Sequence, residues 1–110
     1  MAERMVSWKQ ATNETNSWQR IPSSYVNAQV LAANVAETVT WPDGACICLL
    51  SANADYYTNT RGTAAVPVTD VTDGSASELN TVVITKRGGQ TAFSIVSGVA
   101  CIVTESFYAE

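Results

Sequence analysis

The chain has 110 residues, 46% of them hydrophobic and only 15% charged, with a net charge of −4 and no histidine. Its length suits one domain with its own core. Its six scattered Lys and Arg residues exclude a basic stripe for direct nucleic-acid binding and a basic amphipathic anchor for a membrane surface.

Residues 1–24 read as a polar, extended N-terminal arm, and residues 25–110 as a β-sandwich domain. The opening Met-Ala-Glu-Arg-Met-Val leads into no apolar segment of the signal-peptide kind. No window approaches the roughly 18 apolar residues of a membrane span. The expectation is therefore a soluble protein made in the cytoplasm. The arm carries few apolar anchors: Met5, Val6, Trp8, Trp18 and Ile21. Two tryptophans in a polar leader need burial, either on the chain's own sandwich or on a neighbouring subunit. Pro22 disfavours helix in the residue before it, which places a break there.

Strand signals begin at Ser24. Residues 25–31 alternate, with Val26, Ala28 and Val30 on one side. The alanine-rich stretch 28–36 leaves a short helix as the alternative. Residues 35–41 alternate and are rich in β-branched side chains, which favours strand. Pro42-Asp43-Gly44 is a turn, with Pro fixing φ and Gly supplying positive φ. Residues 45–50 are apolar on both faces, as in the middle of a sandwich. Residues 56–61 form a further strand. Residues 66–71 contain Pro67 and belong at an edge or in a loop. A second turn region spans 70–75, and 75–80 can form a single helical turn. Strands at 81–86 and 91–97 are joined by Arg87-Gly88-Gly89-Gln90, read as a tight hairpin loop. In the last strand Val99, Cys101, Val103, Glu105 and Phe107 share one face. Seven or eight short strands with closely spaced turns predict an all-β fold, a small β-sandwich of jelly-roll type.

Chemistry-bearing constellations are few. Without imidazole there is no Ser-His-Asp or Cys-His nucleophile site and no His-dependent zinc motif. Cys46, Cys48 and Cys101 are an odd set, read as small buried hydrophobes in a reducing compartment. Asp70, Asp73 and Glu78 lie near a glycine. Their spacing is not that of a calcium loop, and the reading is turn aspartates that bond their own backbone. Glu37 and Glu105 are the only acids inside strands, explained as edge charges that discourage unwanted pairing. Trp41, Tyr56 and Tyr57 could offer an aromatic platform to a sugar, although strand aromatics are more often core. The chain is expected to be no enzyme, and to require no metal or cofactor.

One resemblance stands beside this reading. Residues 36–45 (AETVTWPDGA) resemble an AETVTVPAGA phrase from small proteins in the structural modules of tailed bacteriophages. Residues 64–80 (AAVPVTDVTDGSASELN) and the closing 104–108 (TESFY) do so too. The chain looks most like the capsid decoration, or cement (staple), proteins of epsilon15-like short-tailed phages. The resemblance implies a jelly-roll sandwich on the outside of an HK97-fold shell. Its partners would be the major capsid protein and other copies of itself, as a dimer or other homo-oligomer, and it would be a virion component assembled in the host cytoplasm. Read from this sequence, Met5, Trp8, Trp18, Tyr25 and Trp41 are the candidate partner-binding residues. The alternative function is a tail or head-fibre module that binds a host glycan.

Overall fold

A computed structural model describes residues 5–8 and 22–109. Eight strands follow in order: β1 (Tyr25–Leu31), β2 (Glu37–Thr40), β3 (Ala45–Ala52), β4 (Tyr57–Asn59), β5 (Glu78–Leu79), β6 (Val83–Thr85), β7 (Ala92–Val96) and β8 (Cys101–Ala109). They form two four-stranded sheets, ordered β1-β8-β3-β6 and β2-β7-β4-β5. Every ladder is antiparallel. The pairings nest: β1 with β8, β2 with β7, β3 with β6 and β4 with β5. This is the arrangement of a long hairpin rolled over so that its successive segments fall into two facing sheets, the jelly roll.

The inner faces close on one core. β8 contributes Cys101, Val103 and Phe107, β3 contributes Cys48 and Leu50, and Phe93 and Ile95 come from β7 opposite. Trp41 lies against Phe93 at 5.6 Å and edge-on to Phe107 at 5.8 Å. Such tilted aromatic contacts contribute beyond the area they bury.

Two local readings change. Residues 87–90 do form a turn: Gln90 N–H donates to Arg87 O at 3.1 Å, and Gly89 takes φ 84°. It is not a hairpin turn, because its two sides serve different sheets. Lys86 N–H donates to Cys46 O at 2.7 Å, while Trp41 N–H donates to Thr91 O at 2.9 Å. Ile84 and Phe93 reach the same core from opposite sides. At 78–79 a short strand replaces the helical turn, because β5 pairs with β4 through Tyr57↔Leu79 and Thr58↔Glu78. The strand read at 25–31 is present as β1, held by seven register pairs with β8, and the alternative helix does not form. Residues 66–71 are loop, as Pro67 allows.

Candidate partner-binding face

β1 is built inside out. Its register with β8 sets Tyr25, Asn27, Gln29 and Leu31 opposite Phe107, Glu105, Val103 and Cys101. The β8 residues of that set are buried, so the amide-bearing side of β1 is the inner one. Side chains alternate across a strand, so Val26, Ala28 and Val30 point outward. Val26 is 52% exposed and Val30 71%. Beside them the outward residues of β8 are Ile102, Thr104 and Ser106, those of β3 include Leu49 and Ser51, and those of β6 are Val83 and Thr85. None of these positions carries a charge. The result is a neutral sheet face studded with half-exposed aliphatic side chains. Contiguous apolar surface of this kind marks an interaction site more often than scattered exposed residues do.

Four of the five candidate residues from the sequence gather around the far end of β8. Trp8 stacks edge-on to Tyr108, with ring centres 5.1 Å apart at 74°. Tyr25 meets Phe107 at 5.8 Å and 89°. Met5 packs against the core, and Trp41 contacts Phe107 from within. Residues 5–8 sit on the chain's own sandwich: Ser7 bridges to Ala109 in parallel, and Ala109 N–H donates to Val6 O at 2.9 Å. Trp41 is 6% exposed and so acts as a core residue, unable to offer its ring to a partner. Tyr25, 38% exposed, is a rim residue. Trp18 lies outside the described residues.

The aromatic platform does not form. Trp41 and Tyr56 are both buried, and the Tyr56 hydroxyl donates to Thr81 O. Asp73 behaves as a turn aspartate: its Oδ1 accepts from Ser75 N–H at 3.1 Å and from Ser75 Oγ at 2.6 Å. Those bonds, the side-chain one first, hold its carboxyl below the ordinary range. Among the described residues no three Cys, Asp or Glu side chains converge as metal ligands would. Cys48 is buried, and burial, aided by the Glu105 charge, pushes its thiol up to about 12.

Glu105 overturns the edge-charge reading. β8 is an interior strand between β1 and β3, and Glu105 is 1% exposed, on the core side. Its Oε2 has no hydrogen-bond partner. Burial first, and the negative charge of Glu37 second, push its carboxyl up to about 7. Glu37 itself is on β2, an edge strand, where an edge charge makes sense. Its Oε1 accepts from Gln29 Nε2 at 3.3 Å.

Fold and surface together define a small jelly-roll sandwich with a neutral, apolar-studded outer sheet face. No family model, curated protein or solved structure matches this chain.

The sequence groups Val26, Ala28 and Val30 on one side of 25–31 but does not say whether that side is inner or outer. The signal was present in the alternation of β1, where Asn27 and Gln29 interleave with valines. What the alternation could not reveal is which side meets the opposing sheet.

Proposed function

We propose that this chain is a non-enzymatic virion structural protein that binds the outside of a phage capsid shell and stabilises it. The observation that carries the reading is the uncharged outer face of the β1-β8-β3-β6 sheet, where Val26, Val30, Ile102 and Val83 stand half-exposed or more. The alternation of β1 would normally turn Val26 and Val30 inward, and a sheet that turns them out gains nothing unless something covers them. Jelly rolls recur in capsid and lectin domains, and the fold alone does not choose between those uses. The choice rests on the resemblance of residues 36–45, 64–80 and 104–108 to phrases from small structural-module proteins of tailed phages.

In this reading the partner is the HK97-fold major capsid protein, and the protein also self-associates. A standard interface buries about 800 Å² per partner. Copies repeated over a lattice, and linked to one another, need only modest individual affinity. A neutral face also avoids the desolvation cost of burying charges.

The test is attachment to purified, undecorated shells, together with protein stoichiometry in mature particles. We expect a ratio near one copy per major shell protein. Ile102→Lys, which places a charge in the middle of the neutral face without touching the core, should abolish attachment. Full attachment by a folded Ile102→Lys chain, or only a few copies per particle, would sink the reading.

A further inference from the structure

We propose that β1 is a dimerisation edge, pairing antiparallel with the β1 of a second copy of this chain across a two-fold axis at Ala28. The proposal rests on the self-association part of the preceding section and supplies its site.

The backbone directions come first. In an antiparallel ladder the N–H and C=O of one residue point to the same side, and successive residues alternate sides. Asn53 N–H donates to Ile102 O at 3.3 Å, so the even positions of β8 address β3. The odd positions therefore address β1. Ser23 Oγ donates to Phe107 O at 2.6 Å on that side, in agreement. The β1 residues in register with those odd positions are Tyr25, Asn27, Gln29 and Leu31, whose backbone groups are used within the sheet. The N–H and C=O groups of Val26, Ala28 and Val30 consequently point away from β8. Among the described residues β1 ends the sheet on that side, and residues 25–28 and 30 are all exposed.

An open edge with free donors and acceptors is a template for another strand, and folded proteins usually block it with charge, proline or a bulge. β1 has none of these. Its sequence is Tyr-Val-Asn-Ala-Gln-Val-Leu, and its register with β8 is unbroken.

The side chains then choose the partner. Residues 26–30 read Val-Asn-Ala-Gln-Val, which is nearly the same backwards. A two-fold axis at Ala28 sets Ala28 against its own copy, Val26 against Val30 and Asn27 against Gln29. An isologous contact requires this reciprocity, with residue i meeting j and j meeting i. The pairs at Val26, Ala28 and Val30 are the ones with free backbone groups, so each would exchange two N–H···O bonds across the axis. The valine pairs meet on the outer face, extending its aliphatic strip through the axis. The Asn27–Gln29 pairs meet on the inner side, where two amides can satisfy each other. Side chain and backbone thus select the same register, and a one-residue slip would set valine against amide.

The test uses the full purified chain without any shell, so its failure is separable from failure of shell attachment. Sedimentation equilibrium should show a concentration-dependent monomer–dimer system. Ala28→Pro removes one outward N–H and leaves the bonds to β8 intact. It should shift the dissociation constant by at least tenfold towards monomer at unchanged circular dichroism. Val30→Lys, at a side chain already 71% exposed, should do the same and guards against misfolding of the proline variant. Ala28→Cys should give a covalent dimer on mild oxidation, because paired residues of this kind lie about 5.5 Å apart between Cα atoms. A wild-type chain that stays monomeric throughout would overturn the proposal. So would folded Ala28→Pro and Val30→Lys chains that dimerise as before, or an oxidised Ala28→Cys chain without covalent dimer.

Discussion

Replacing Glu105 by glutamine should make this protein more stable, and only at high pH. The carboxyl is 1% exposed with Oε2 unpartnered. Burial, then the Glu37 charge, raises it from 4.5 to about 7. The folded chain therefore holds this proton to higher pH than the unfolded chain does. Below about pH 4 both states are largely protonated, and the ionisation penalty is absent. Between 4.5 and 7 the unfolded chain binds fewer protons, so stability falls as pH rises. Above about pH 7 the full penalty is in place, roughly 3 kcal/mol at 1.36 kcal/mol per pKa unit. Glutamine keeps the shape and remains neutral. Urea denaturation of both proteins should give equal unfolding free energies near pH 4, and an advantage of about 3 kcal/mol for Glu105→Gln at pH 8.5. The facing groups are accounted for: Cys48 stays a thiol over this range, and Glu37 is present in both proteins. Parallel pH profiles for the two would refute the reasoning.

Two further changes probe the seams of the fold. Trp8→Ala should lower stability by about 2 kcal/mol through lost area and the ring contact with Tyr108. Near-ultraviolet circular dichroism should report the loosened tyrosine, and an unchanged melting temperature would mean that residues 5–8 contribute nothing to the sandwich. Asn80→Ala should cost about 2–3 kcal/mol. Asn80 holds φ 52°, its Oδ1 accepts from Tyr56 N–H at 3.1 Å, and its Nδ2 donates to Asp55 Oδ1 at 3.0 Å. Asn80→Gly should recover only the backbone share. Equal stability of all three residues at position 80 in thermal melts would refute this account.

Local pattern carried the strands but not their partners. The alternation of β8 puts Cys101, Val103, Glu105 and Phe107 on one face, and that is the inner face. The turns at Gly44 and Gly74 announce themselves because both hold positive φ. Periodicity is blind to which sheet a strand joins, so 81–86 and 91–97 suggest a hairpin although their ladders lead to β3 and to β2 and β4. β1 shows the same blindness across the sheet: alternation puts Val26, Ala28 and Val30 on one side, and only the register with Phe107, Glu105, Val103 and Cys101 makes that side the outer one. Glu105 stands out in the sequence as an acid within a strand. Its burial depends on β8 lying between two other strands, a long-range fact that no local window contains.

The nesting of the strands also has a consequence for how the protein is made. β8 fills the slot between β1 and β3 and is the last of the eight to leave the ribosome. Ser23 waits for Phe107, 84 positions later, to complete its bond. Until then the outer sheet is split, with two long strands unable to touch and their inner sides open. Contacts this distant close slowly, and unpaired edges in that interval invite wrong partners. Crowding during synthesis, rather than the stability of the finished sandwich, would then set the yield of correctly folded chains.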